Sequence, residues 1–251
     1  STQQGLIDSN TSFIATNLAD IEVNAYDIID LDTKIKGLET LTDGVEDLLA
    51  VTEITGSNLY FKGVNVNIVS GTGASDDNGS VSGLGNLIIG YNESISGAAS
   101  SRSGAHNLVI GSGHDYSSWG GVVAGQGNEI HAPYANILGG SGNIANNLGV
   151  SITGGYSNLA EADFAAIAGG RDNFVDGAYG YVAGGAENEV SDESGAVLGG
   201  YKNVAKGNYA AIVGGHQDAT DGLHATVLGG YQSNADGNTA GIVGGYKNTS
   251  S

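Results

Sequence analysis

Cysteine and methionine are absent from this sequence, and proline occurs once in 251 residues. Without thiols there is no disulfide framework, no thiolate metal site and no thiol nucleophile, and thiol chemistry says nothing of the redox compartment; the absence fits an exposed surface protein. Positive charge is scarce too. Eight Lys and Arg stand against 27 Asp and Glu, a net charge of −19, so a phosphate backbone is repelled and no nucleic-acid partner is expected. Eleven of the acids lie in residues 1–55 and sixteen beyond, which makes a generally solvating surface and not an acidic tail. No apolar run approaches the roughly 20 residues of a membrane span. The amino terminus also has no basic-then-apolar leader, so export depends on a signal and an anchor outside these residues.

Catalytic patterns are missing as well. His106, His114, His131, His216 and His224 have no fixed metal-ligand spacing, and no HExxH, GxSxG or P-loop pattern occurs. No column of threonines offers an ice-binding face, and no paired carboxylates select a polysaccharide-cleaving groove. The expectation is a protein that is not an enzyme and needs no cofactor. The GGxGxDxUx signature of calcium-binding β-rolls is absent, which leaves Asp76 and Asp77, in Asp76-Asp77-Asn78-Gly79, as a weak calcium candidate whose ordinary reading is a solvated turn.

What the chain does have is glycine, 44 residues of it, in a strict rhythm. Gly139-Gly140, Gly154-Gly155, Gly169-Gly170, Gly184-Gly185, Gly199-Gly200, Gly214-Gly215, Gly229-Gly230 and Gly244-Gly245 recur every fifteen residues. A repeat this short holds two brief strands and two turns, so successive coils stack into a solenoid. Twelve residues after the second glycine come Ile137, Ile152, Ile167, Val182, Val197, Ile212, Val227 and Ile242, the inward ladder of a stack with strands about 4.8 Å apart. Ten after it stand Ala135, Val150, Ala165, Gly180, Gly195, Ala210, Ala225 and Ala240, small enough for two sheets or two chains to approach closely. Three after it run Asn128, Asn143, Asn158, Asn173, Asn188, Asn203, Asp218, Ser233 and Asn248, read as turn residues that cap their own backbone, tolerate a left-handed conformation and hydrogen-bond along the stack. Gly177, Gly207, Gly222 and Gly237 mark the opposite turn by the same conformational argument.

The first segment has a different period. Ile7, Ile14, Ile21, Ile28 and Ile35 fall seven apart, and Leu49 continues the register after Thr42. With these at a, the d positions are Asn10, Asn17, Asn24, Leu31, Leu38 and Val45, a parallel coiled coil of about six heptads with acidic outer positions facing water. Beyond residue 55, Leu59, Phe61, Val64, Val66 and Ile68 alternate around Gly63 and are expected to open the first β coil, and Ser70 to Gly83 is a loop. Asn86-Leu-Ile-Ile-Gly90 and Asn107-Leu-Val-Ile-Gly111 look like one strand used twice, with irregular spacing that implies projecting loops. Between Glu93 and Gly120 gather Arg102, His106, His114, Tyr116 and the lone Trp119, either a recognition loop or a cap over the first regular coil. The expected organisation is a trimeric coiled coil over 1–55, irregular β coils over 56–124 and a regular β-roll over 125–251.

One column of such coils buries too little apolar surface to offset backbone ordering, so partners are expected. Three columns sharing an axis with a parallel helical bundle cover a second face of each, with Tyr134, Phe164, Tyr179 and Tyr209 as candidates for the packing between chains or as exposed residues.

The units GGYSNLAEADFAAIAGG (154–170) and GGYKNVAKGNYAAIVGG (199–215) resemble the head repeats of trimeric autotransporter adhesins. The leader Ile7-Asp-Ser-Asn10-Thr11 is similar to that family's stalk heptads, and the two likenesses cover about residues 7–49 and 86–248. The resemblance implies a left-handed parallel β-roll in each of three chains. It also implies an inward anion site, chloride or another anion, at Asn10, Asn17 and Asn24. For the whole protein it implies an extracellular, cell-surface adhesin binding host, matrix or neighbouring-cell ligands, attached through an anchor beyond this chain or built into an extracellular fibre. Here the coiled coil precedes the β coils, whereas the family's head normally precedes its stalk. The alternative is a phage or virus-like tail fibre that recognises a cell-surface glycan.

Overall fold

The computed structural model describes residues 2–94 and 101–251. The chain divides into two compact units, Ser1–Asn67 and Ile68–Ser251.

The first unit is one long helix and a hairpin. Helix α1 spans Thr2–Val51, fifty residues that contain no proline, with glycine only at Gly5, Gly37 and Gly44. Strands β1 (Thr52–Thr55) and β2 (Asn58–Phe61) pair antiparallel, with Thr52 opposite Phe61 and Thr55 opposite Asn58. This corrects the expectation of a first parallel coil at Leu59. The two-residue turn Gly56-Ser57, with Gly56 at φ +63, folds the chain back on itself, as a glycine at the first central position of a tight hairpin does. Val64, Val66 and Ile68 form no strand. The helix is not long and apolar enough to cross a membrane.

The second unit is a parallel β-solenoid of about ten coils of about fifteen residues. Strands β3 (Leu87–Ile89) and β4 (Leu108–Ser112) are register partners, Leu87 against Leu108, so the Asn86 and Asn107 segments are indeed one strand repeated. They begin an eleven-stranded sheet that runs to Gly241–Ile242; a ten-stranded sheet runs from Asp115–Tyr116 to Thr249–Ser250. In the regular coils each strand is two residues long and pairs with its own repeat fifteen residues on, as Ile152 with Ile167 and Ala160 with Val175. Register is fixed by the column of identical residues. A slip of one residue turns every inward side chain outward.

The interior is thin. From one sheet come Ile137 to Val227 of the isoleucine and valine column, all fully buried; from the other come Ile130, Ala145, Ala160, Val175, Val190, Ala205 and Ala235. Ala135, Val150, Ala165, Ala210 and Ala225 complete it. Each coil thus buries two or three β-branched or smaller apolar side chains, and the ladder of backbone hydrogen bonds, such as Ser151 N–H to Ala165 O at 3.0 Å, supplies the remaining cohesion.

Two readings of the turns change. None of the asparagine column has positive φ; the left-handed residue is the one before, Ser157, Asp172, Glu187, Lys202, Gln217, Gln232 and Lys247. At the opposite turn the left-handed position belongs to Tyr134, Phe164, Tyr179, Tyr209 and His224, not to Gly177, Gly207, Gly222 or Gly237. Those glycines answer to close approach instead: a Cβ on Gly207 would meet Gly222 O at 2.0 Å.

Candidate functional site

The Gly-Gly turns and the asparagines behind them form a continuous internal ladder. Asn158 shows the unit. Its backbone N–H donates to Asn143 Oδ1 at 3.0 Å, and its Nδ2 donates to Asn143 Oδ1, to Gly154 O and to Gly170 O at 3.0, 3.2 and 3.1 Å. Asn143, Asn173 and Asn188 repeat these contacts at spacings of fifteen residues, each side chain 0–1% exposed. The amide carries two donor hydrogens and an acceptor oxygen, so every copy satisfies the coil before and the coil after; an ionised carboxylate has no donor, and a shorter hydroxyl has a single one.

That difference shows near the end of the stack, where the column reads Asp218 and Ser233. Asp218 Oδ1 accepts the Ser233 N–H at 2.8 Å, but Asp218 Oδ2, Thr220 Oγ1 and Ser233 Oγ are buried with no hydrogen-bond partner. Burial pushes the Asp218 carboxyl up from its ordinary value, against smaller opposing effects from the Ser233 and His216 N–H groups and the His216 charge. The break in the asparagine column was visible in the sequence; its consequence was not.

The five residues named for a recognition loop have separate fates. His114 is fully buried, with its ring nitrogens 3.0 Å from Ile110 O and 3.3 Å from the Asn128 N–H, and Tyr116 is buried with its hydroxyl accepting from Asn92 Nδ2 at 2.8 Å. Arg102 reaches inward, donating from Nη1 to Asn92 O and from Nε to His114 O. Trp119 is half-buried and meets the Tyr134 ring edge-on at 4.6 Å between centroids. His106 belongs to a different cluster. Residues 95–100, part of the same segment, lie outside the described residues.

His106 Nε2 accepts the Ser70 N–H at 3.1 Å, and its Nδ1 lies 3.9 Å from Asp77 Oδ1. Asp77 is itself saturated: Ser70 Oγ and Thr72 Oγ1 donate to Oδ1, and the Ser82 N–H donates to Oδ2 at 2.6 Å. Hydrogen bonds from Ser70, Ser82 and Thr72 hold its carboxyl well below the usual carboxylate range. Asp76 Oδ1 accepts the Asn78 N–H at 3.0 Å. Both members of the calcium candidate therefore spend oxygens on closing the loop. Beside them lies an open hollow of about 410 Å³ lined by Ile68, Val69, Ser70, Gly71, Ala74 and His106.

A third polar cluster had no sequence signal. His131 Nε2 faces Asp115 Oδ1 at 3.4 Å and Glu129 Oε2 at 3.6 Å, while Nδ1 lies 2.8 Å from Asn146 Oδ1. Asn146 Nδ2 donates to Glu161 Oε1, which orients the amide so that its oxygen accepts from the imidazole. These residues come from four successive coils, and only the stacking brings them together. Among the described residues no group of three or more His, Asp or Glu side chains is arranged to hold a metal ion.

The outer faces carry ladders of their own. Tyr156, Arg171, Ala186, Tyr201, His216, Tyr231 and Tyr246 are consecutive bridge partners. Tyr231 and Tyr246 stack at 5.3 Å, as do Phe164 and Tyr179, and Tyr209 and His224 stack at 5.1 Å. Stacked rings turn their faces to each other, leaving edges for solvent. Along another line run Leu138, Leu198, Val213, Leu228 and Val243, all exposed. Just after these come the first glycines of the pairs; a Cβ on Gly184, Gly199 or Gly214 would meet nothing within 4 Å.

In α1 every described residue as far as Ala50 is exposed. Ile7, Ile14, Ile21, Ile28 and Ile35 are 51–65% exposed, and Leu31, Leu38 and Val45 48–61%. Asn10, Asn17 and Asn24 fall on the same seam, seven residues apart. Compared with protein-family models and with curated proteins, the chain finds no match.

Proposed function

We propose that the chain is one protomer of a homotrimeric, non-enzymatic surface fibre of the trimeric autotransporter adhesin kind, which attaches a cell to host, matrix or neighbouring cells through many weak contacts. The observation that carries this reading is the uncovered heptad seam of α1. Burying one Val, Leu or Ile is worth about 1.5–3 kcal/mol, and the seam holds nine such a and d side chains, none of them covered within the chain. An isolated helix of this kind has no reason to persist in water; a helix meeting copies of itself does.

Two features favour three copies over two. Leu6, Phe13, Leu41 and Leu48 lie one residue before the a positions, at g, and widen the apolar stripe beyond an a/d seam. The solenoid adds the exposed Leu198, Val213, Leu228 and Val243 line beside glycines that nothing in their own chain requires. Small residues with open space above them suit the close approach of a second backbone. In this assembly Asn10, Asn17 and Asn24 turn inward around an axial anion such as chloride, and the acidic exterior keeps fibres apart until ligand contacts accumulate. Location outside the cell follows from this role.

Light scattering tests the assembly: a mass three times 25.1 kDa is expected. Ile14→Asp, Ile21→Asp and Ile28→Asp together should yield monomers, and beads coated with the trimer but not with the monomer should hold to cells or matrix. A stable wild-type monomer, or adhesion that survives loss of the seam, overturns the reading.

A further inference from the structure

We propose that Asp218 is a proton-operated latch on the coils from His216 onward: its carboxyl stands protonated where neighbouring coils place an asparagine amide, donates to a turn carbonyl, and lets those coils loosen when it ionises.

The slot is defined by its neighbours. Asn203 Nδ2 donates to Gly199 O at 2.9 Å and Gly215 O at 3.1 Å, and Asn188 Nδ2 to Gly184 O and Gly200 O at 3.0 and 3.2 Å. The partners are always the carbonyls four residues before and twelve after, which for position 218 are Gly214 and Gly230. Asp218 keeps the rest of the pattern: its N–H donates to Asn203 Oδ1 at 3.0 Å and its Oδ1 accepts from Ser233. With Oδ1 so occupied, Oδ2 falls where Nδ2 belongs. A Cβ built on Gly215 meets Asp218 Oδ2 first, and those built on Gly200 and Gly185 have Asn203 Nδ2 and Asn188 Nδ2 as their second-nearest atoms.

An oxygen in that slot faces carbonyl oxygens. Ionised, its Oδ2 is an acceptor among acceptors, with only the His216 N–H near it, and that group already donates to Gly230 O at 3.1 Å; protonated, it supplies the missing O–H. The backbone departs from the repeat at this point. Gly230 O lies 3.0 Å from a Cβ placed on Gly215, against 2.1–2.3 Å for the equivalent pairs from Gly125 to Gly200. The turn glycines shift from φ 82–98 at Gly140 to Gly200 to 115 at Gly215 and 140 at Gly230. Asn203 from the coil before and Ser233 from the coil after are neutral, Thr220 stands on the two-residue strand that follows, and His216 on the adjoining turn is the titratable group near it.

The sign follows from the raised folded value. Below the ordinary carboxylate range the latch contributes in full, and its contribution is lost as pH rises through the folded value, so the coils from His216 onward are held more tightly in acid than at neutral pH.

Hydrogen exchange on the full chain tests this, read as protection of amides such as Ala219, Tyr231 and Asn234 relative to their intrinsic rates. Wild-type protection in these coils should fall about tenfold per pH unit within the window. Asp218→Asn, which restores the amide donor, should hold protection high and flat, and Asp192→Asn, on an exposed turn, should behave as wild type. Protection that does not change with pH, or an Asp218→Asn profile that follows wild type, overturns the latch. So does calcium chloride restoring protection at neutral pH in wild type but not in Asp218→Asn, because a cation then fills the slot. Should Asp218→Asn fail to fold, carboxyl carbon shifts of the wild type decide: titration at the ordinary carboxylate value sinks the proposal.

Discussion

Gly184 and Gly185 are adjacent and have opposite requirements. Gly185 sits at φ +88, and a Cβ there would lie 2.3 Å from Gly200 O and 2.6 Å from Asn188 Nδ2; Gly184 has no positive φ and open space where a Cβ would go. Gly185→Ala should cost at least about 3 kcal/mol, through backbone strain and displacement of the ladder. Gly184→Ala, which meets nothing in its own chain, should change the stability of the unassembled chain by less than about 0.5 kcal/mol, any larger loss being confined to the assembled trimer. Chemical denaturation of both variants beside wild type measures the gap. The sequence displays the two glycines as equals, because a period records that a residue recurs and not which contact makes it recur. The same limit hid the left-handed positions. Lys202, Gln217, Tyr179 and Tyr209 are poor markers of positive φ, and they adopt it because the coils above and below hold their backbone by hydrogen bonds such as Gln217 N–H to Tyr201 O at 2.9 Å. Asparagine looked like the turn-former and is instead the buried donor and acceptor beside it.

At the scale of the element, the coil is the unit of folding. Arg171 bridges to Ala186, and every strand pairs with its counterpart one period on, so removing 171–185 joins Gly170 to Ala186 with all columns in register. That deletion should leave a cooperatively unfolding solenoid with unchanged far-ultraviolet dichroism per residue and lower stability, since one nearest-neighbour interface is lost. Removing 171–177 instead shifts the inward Ile and Val column out of line and should leave an insoluble or unfolded product; circular dichroism and thermal melting distinguish the two. The coils were legible because fifteen residues repeat without interruption from Gly125. The hairpin at Thr52–Phe61 was not: its strands occur once, and only the Gly56-Ser57 turn signals the reversal. The half-buried polar cluster around His131 was hidden for a related reason. Asp115, Glu129, His131, Asn146 and Glu161 are far apart in sequence and meet only through stacking.

For the whole molecule, charge and the proposed assembly oppose each other. Each chain carries a formal charge of −19, so three chains brought together repel, and surface repulsion of this kind is screened over about 10 Å at 0.1 M salt. Association should therefore strengthen with ionic strength whatever the salt, read as a fall in the concentration at which light scattering finds half of the protein dissociated. The axial site expected at Asn10, Asn17 and Asn24 adds a second effect that depends on the identity of the anion. At equal ionic strength, chloride or bromide should stabilise the assembly beyond sulfate, and Asn17→Ile should remove part of that difference while raising stability overall, because it exchanges a polar core layer for an apolar one. A response identical for all salts and untouched by Asn17→Ile assigns the whole effect to screening and removes the anion from the axis, leaving the seam of isoleucines and leucines as the sole cause of association.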